Sequence, residues 1–310
     1  MKSIRNSVLL AALRRIAVLV LVVSVKATLP AQETNLDIQV TLAAADKGDA
    51  KAQYAVGMYY GEGKQVRKDL AKAVKYIRLS ADQGYADAEV ILGSLYGRGR
   101  GVPLDLKMAV ALYRKAADQG NAMAQFAMGN FCATGRGMTN DTQAAIAWWQ
   151  KAAAQKQVEA EAALGKLYLL PRPLPDGTNY LNFAEAQRWL HLAAGQGSVE
   201  AMNNLGVAYD NGYGVKTDFA EAAKWYRAAA EQGDDQAQAN LAQLYFEGRG
   251  VPLDLVQAYK WFRLSAAQGN FRARKALEDY QGHDLLTPEQ LANGEELYRN
   301  FHPQPAKNQP

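Results

Sequence analysis

The sequence predicts an all-α protein, built as a solenoid of antiparallel helix pairs. Three observations predict it: a glycine pattern that returns about every 36 residues, helix N-cap residues at two fixed phases of that repeat, and a small-then-large apolar pair at a third phase. Self-similarity at this period marks architectures in which one unit cannot bury its apolar face alone and must stack on its neighbours.

The glycines form two sets. Val56-Gly57, Leu92-Gly93, Met128-Gly129, Leu164-Gly165 and Leu205-Gly206 are separated by 36, 36, 36 and 41 residues, and Leu241-Ala242 continues the series with alanine. The second set closes each unit at Gly48, Gly84, Gly120, Gly197, Gly233 and Gly269, with Lys156 standing where the third unit needs its glycine. The residue after the closing position is Asp49, Asn121, Ser198, Asp234 or Asn270, all good N-caps for a first helix. Gly63, Gly99, Gly135, Gly212 and Gly248 mark its end, where a left-handed residue terminates a helix. The second helix opens at Asp69, Asp105, Asp141, Asn182, Asp218 and Asp254, and Glu185, Glu221 and Gln257 stand where they complete capping boxes.

Packing chemistry repeats with the same step. Ala73, Ala109, Ala145, Ala186, Ala222 and Ala258 hold one phase of the second helix, followed three residues on by Tyr76, Leu112, Trp148, Trp189, Trp225 and Trp261. The alanine lets two helices approach, and the large residue is expected to fill the space beside it. A helix-interior glycine costs about 1 kcal/mol against alanine, so its recurrence in the first helix points to close helix contact.

The residues from Ala237-Gln238-Ala239-Asn240-Leu241 through Tyr245-Phe246-Glu247-Gly248-Arg249-Gly250-Val251-Pro252 to Trp261 and Ala266-Ala267-Gln268-Gly269 resemble a Sel1-like repeat, a relative of the tetratricopeptide repeats. The resemblance covers residues 38–281 as half a repeat and six units. It implies a right-handed α-α superhelix with a concave face for partners, in a family of adaptors, assembly scaffolds and signalling regulators. The chain departs from the pattern at Gln65, at Lys156, and in the fourth unit, where Pro171-Arg172-Pro173-Leu174-Pro175-Asp176-Gly177 replaces the usual loop with five extra residues. Thr287-Pro288-Glu289 opens a capping helix within 282–302, and the tail 303–310 is expected to be disordered.

The N-terminus reads as a secretory signal over residues 1–27, followed by a linker at 28–37. Basic residues precede an apolar run, Ile16 to Val25, which is half the ~20 residues a bilayer-spanning helix needs. Cleavage fits Ala27 or Ala31; the alternative is an uncleaved anchor from Val8 that carries Arg14 and Arg15 into the membrane. Cleavage predicts a periplasmic or secreted product with no integral span. Removing the leader leaves 30 basic residues against 31 acidic ones, which lacks the basic footprint of nucleic-acid binding.

No catalytic signature emerges, and neither an enzyme activity nor a cofactor is expected. His191 sits at a phase otherwise held by Arg78, Arg114, Gln150, Arg227 and Arg263, so it reads as solvent-facing; His283 and His302 are not spaced as a metal pair. The single Cys132 falls on an apolar helix face as a small hydrophobe. The cysteine-rich branch of the family, linked to β-lactam binding, staples each repeat with a disulfide, and one cysteine cannot do that. A protein or peptide partner is therefore expected, with a cell-wall or polysaccharide fragment as the alternative. Analogy to tetratricopeptide repeats selects the first-helix positions Tyr54, Met58, Val90, Phe126, Asn130, Lys166, Asn203, Val207, Gln243 and Phe246 as the partner-binding face. Their mixed apolar and polar character leans towards peptide.

Overall fold

A computed structural model describes residues 31–64, 66–170, 179–282 and 285–304. The leader, Gln65, nearly all of the Pro171–Asn179 insertion, His283 and the end of the tail lie outside the described residues. Among the described residues there are fifteen helices and no strand. They are α1 (Ala31–Asp46), α2 (Ala50–Glu62), α3 (Leu70–Asp82), α4 (Ala86–Arg98), α5 (Leu106–Asp118), α6 (Ala122–Thr134), α7 (Thr142–Ala154), α8 (Val158–Leu169), α9 (Phe183–Gly195), α10 (Val199–Asn211), α11 (Phe219–Glu231), α12 (Asp235–Glu247), α13 (Leu255–Ala267), α14 (Phe271–Gly282) and α15 (Pro288–Arg299). The chain forms two compact units, one up to Tyr76 and one from Ile77 onward.

The caps explain why the helices start where they do. In the first helices, Asp49, Asn121, Ser198, Asp234 and Asn270 each accept the backbone N–H three residues on, at 2.7–3.3 Å. Asp69, Asp105, Asp141, Asn182, Asp218 and Asp254 do the same for the second helices at 2.9–3.2 Å. Each contact satisfies a donor that the helix itself leaves orphaned. The capping boxes expected at Glu185 and Glu221 give way to forward pairs, with Arg188 at 3.5 Å and Lys224 at 2.7 Å. An opposite charge one turn along wins these side chains from the N-cap amide. The full capping box is at Thr287 and Gln290, which opens α15.

Five of the first helices stop at a left-handed glycine, with φ between 63° and 74° at Gly63, Gly99, Gly135, Gly212 and Gly248, whereas α8 ends at Leu170 in extended backbone with φ at -99°. A backbone clip then fixes the pair. The N–H of the second helix's N-cap donates to a carbonyl in the last turn of the first helix, as from Asp105 to Tyr96 at 3.0 Å and from Asp254 to Tyr245 at 3.0 Å. Asn182 makes the same bond to Tyr168 at 3.0 Å, so the five-residue insertion leaves both its ends in the regular repeat position.

The register of the large residues differs from expectation. The side chains that meet the anchor glycines are Tyr113, Trp149, Leu190 and Tyr226, four residues after the alanine rather than three. A Cβ on Gly129 would lie 2.3 Å from the Trp149 ring, and one on Gly206 2.4 Å from Tyr226. On a helix of 3.6 residues per turn, positions three and four ahead flank the alanine on opposite sides. The fourth turns towards its own first helix. The third lies on the other flank, where Leu112, Trp148 and Trp261 are buried and Trp189 and Trp225 half-buried.

A second feature joins consecutive repeats. Four residues before each anchor position stands a buried side chain: Gln53, Glu89, Gln125, Glu161, Met202 and Gln238. The glutamines donate to carbonyls eight residues back, Gln53 to Ala45, Gln125 to Ala117 and Gln238 to Ala230 at 3.1–3.3 Å. The glutamine before the next closing position then donates to this buried residue: Gln119 to Glu89 at 2.7 Å, Gln155 to Gln125 at 2.8 Å, Gln196 to Glu161 at 2.6 Å and Gln268 to Gln238 at 2.9 Å. Buried polar groups must be paired, and here the pairing crosses the repeat boundary. Burial pushes the Glu89 and Glu161 carboxyls above the usual range; the Lys115 charge near Glu89 and the glutamine bonds to both oppose this without cancelling it.

The ends differ from the sequence reading in two places. The linker expected at 28–37 is helical from Ala31, because no glycine or proline interrupts the chain before Gly48. The expected disordered tail is docked at its start: the Gln304 N–H donates to the Glu231 carbonyl at 2.8 Å. The final helix α15 packs on α13, where the Tyr259 hydroxyl donates to Glu295 at 2.6 Å and Arg263 pairs with the same carboxylate at 2.9 Å.

Candidate partner-binding surface

In the unit beginning at Ile77, the first helices α4, α6, α8, α10 and α12 each pack on their own second helix, and α8 also touches α10 and α10 touches α12. The position after the anchor glycine or alanine returns on successive first helices as Ser94, Asn130, Lys166, Val207 and Gln243. All five are partly exposed. Polar bonds tie this face together: Lys166 pairs with Glu200 on the next first helix at 2.6 Å, and Asn240 donates to Asn203 at 3.1 Å. Gln243 donates to Glu247 at 2.6 Å.

Eight of the selected residues lie in this unit, and Tyr54 and Met58, both half-exposed, belong to the other. Phe126, Asn130, Lys166, Asn203, Val207, Gln243 and Phe246 are half-exposed. Val90 is corrected: at 5% exposure it belongs to the core around Met128 and Trp149, and it has no surface to offer a partner. Asn130 is also committed inward, because its side-chain oxygen accepts the Trp149 indole N–H at 3.2 Å. Analogy assigns the phase but cannot show which members are consumed by packing.

The Gly248-Arg249-Gly250 loop is closed to phosphate by its own contacts. Arg249 holds Asp210 at 2.6 Å and Glu247 at 2.7 Å, and its guanidinium lies 4.0 Å from the centre of the Phe219 ring. Tyr226 donates to the same Asp210 at 3.3 Å, and burial followed by that carboxylate drives its hydroxyl far above the usual range. The second loop glycine is required sterically. At Gly250, φ is 67°, and a Cβ would fall 2.1 Å from the Phe219 backbone of the preceding repeat.

The seam between second helices holds Trp148 and Trp261 buried and Trp189 and Trp225 half-buried. Its tryptophans each carry a neighbour: Lys151 and Arg114 over Trp148, Arg188 over Trp189, His191 edge-on to Trp225, and Lys260 with Phe301 on Trp261. His191 and His302 are exposed, and Cys132 is fully buried. Among the described residues, no cluster could hold a metal ion, and no helix is long and apolar enough to cross a membrane.

The Sel1 repeat model matches residues 50–85, 86–121, 122–156, 158–198, 199–234 and 235–270, more than half of the chain. The chain belongs to the Sel1 repeat family. As a Sel1 repeat protein it has the scaffold of a family that mediates protein–protein contacts and is generally non-catalytic. It is similar to c5321, a protective antigen of uropathogenic Escherichia coli with an SLR fold, at 34% identity and a TM-score of 0.70 over 84% of this chain and 55% of that one. The chain thus spans just over half the length of that relative. It is also similar to a Sel1 repeat protein from Oxalobacter formigenes, at 32% identity and a TM-score of 0.67, over 82% of this chain and 99% of that one. No curated protein matches the chain.

Proposed function

We propose that this Sel1 repeat protein is exported to the cell envelope and works there as a scaffold or regulator that grips a peptide segment of another protein on its first-helix face. One observation carries the binding reading: Lys166, Val207 and Gln243 return at one register on successive first helices that touch, each partly exposed. Three different side chains in a row suit an extended peptide, whose residues present alternating demands. A sugar chain asks for stacked aromatic planes, and this face offers Phe126 and Phe246 at different phases. The leader pattern supports export.

A photo-crosslinking residue at Val207, with another at exposed Met108 on a second helix as the control, tests the face in living cells. The expected result is a discrete adduct from position 207 in the envelope fraction and none from 108. Adducts of equal yield at both positions, or none at 207, would overturn the reading.

A further inference from the structure

The last repeat already holds a peptide, and the peptide is the chain's own C-terminal segment. After α15 the chain turns back across α13. The Phe301 ring stands edge-on to Trp261, with centroids 5.3 Å apart and planes at 71°. The Lys260 ammonium lies over both rings, 4.1 Å from the Trp261 centre and 5.4 Å from that of Phe301. Pro303 lies beside Gly233, where a Cβ would come within 3.6 Å of its ring. The Gln304 N–H then meets the Glu231 carbonyl at 2.8 Å, at the last residue of α11, where a helix leaves carbonyls without internal partners.

These contacts define a seat with a readable specificity: an aromatic socket, a cation over it, room for proline two residues on, and a backbone acceptor one residue further. The segment is held lightly. Phe301 is only half-buried, and His302, Pro303 and Gln304 are exposed. The socket recurs one repeat earlier with Trp225, Lys224 and Gly197 in the equivalent places. There the exposed His191 ring stands edge-on to the indole at 5.7 Å and 69°, close to the geometry of Phe301 on Trp261. Two successive tryptophans are thus capped by a ring from outside their own helix.

We propose that the seat of Trp261, Lys260, Gly233 and the Glu231 carbonyl is a docking site for an extended aromatic-x-proline segment of a partner protein, with the chain's own Phe301–Gln304 as a tethered occupant that the partner displaces. This site lies on second helices and does not depend on the first-helix reading.

The test uses the full chain and a labelled peptide, Asn-Phe-His-Pro-Gln, followed by fluorescence anisotropy. A tethered segment competes at an effective concentration near millimolar. Phe301→Ala should therefore bind the peptide saturably and at least about tenfold more tightly than the unaltered chain does. Adding Lys260→Glu to that variant should weaken binding, and replacing the peptide's phenylalanine by alanine should abolish it. No saturable binding to the Phe301→Ala chain would overturn the proposal. So would equal affinity for both chains, or equal binding by the alanine peptide. Concentration-dependent dimers of the unaltered chain that vanish with Phe301→Ala would replace the partner by a second copy exchanging its own segment.

Discussion

Glu161→Gln is the most discriminating change to the scaffold. Glu161 is 3% exposed, takes a 2.6 Å hydrogen bond from Gln196, and occupies the position where Gln125 and Gln238 also donate to carbonyls eight residues back. An ionised carboxylate can accept from Gln196 but cannot donate to the Ala153 carbonyl. Glutamine can do both. The gained neutral hydrogen bond contributes about 1 kcal/mol. Removing a buried charge adds to this, and losing the charge-assisted strength of the Gln196 bond subtracts. A net gain of about 1 kcal/mol at pH 8 follows, or roughly 2–4 °C in Tm for a unit of this size. The sign with pH is fixed by linkage. Burial raises the folded carboxyl, so the native state holds its proton more tightly than the unfolded chain does. The contribution of Glu161 is fully present below the unfolded value near 4.3 and is lost as pH rises through the raised folded value. The gap between variant and parent should be widest at pH 8 and shrink towards pH 4.5. Denaturant midpoints by circular dichroism at several pH values measure it. A gap that stays constant with pH, or widens in acid, refutes the idea that buried charge is what glutamine relieves.

Three further outcomes are expected. Lys156→Gly should stabilise by about 1 kcal/mol, because Lys156 holds φ at 62° in a region that side chains disfavour; an unchanged melt would show that the strain is absorbed elsewhere. Gly129→Ala should cost about 1–3 kcal/mol, since the new Cβ would fall 2.3 Å from Trp149, whereas Gly195→Ala meets nothing within 4 Å and should be neutral or stabilising by about 0.5–1 kcal/mol; equal melts for the two would refute the close-contact account. The proposed export predicts that N-terminal sequencing of the protein from the envelope fraction begins at Thr28 or Gln32, and an intact Met1 in a membrane pellet would defeat cleavage.

The helix boundaries were legible because they rest on local chemistry. An N-cap aspartate and a left-handed glycine act on their own few residues, so Asp105 and Gly99 carry their meaning wherever the repeat is placed. The capping boxes at Glu185 and Glu221 were misread because the motif does not weigh Arg188 and Lys224 one turn ahead. The side chain that meets the anchor glycine, one residue beyond the expected large residue, was missed for a different reason. Periodicity locates an apolar face but does not say which flank of it meets the first helix, and both Trp148 and Trp149 are large enough for either place.

The surfaces were less legible because contacts between repeats decide them. The glutamine ladder was visible as a recurring letter, yet a polar residue on a helix reads as solvent-facing until the neighbouring repeat is seen to cover it. Gln238 at 1% exposure and Glu161 at 3% show the consequence. The reverse error applies to Val90, which shares its phase with half-exposed Phe126 but is buried. In a solenoid the same phase can therefore be core in one unit and surface in the next, because the residue that covers it belongs to another repeat. The departures from repetition, such as Lys156, the fourth-unit insertion and the Phe301–Gln304 segment, are where one copy stops being interchangeable with its neighbours. A partner that must recognise this chain among Sel1 repeats has those positions to read, since the capped, clipped and laddered positions are common to nearly every unit.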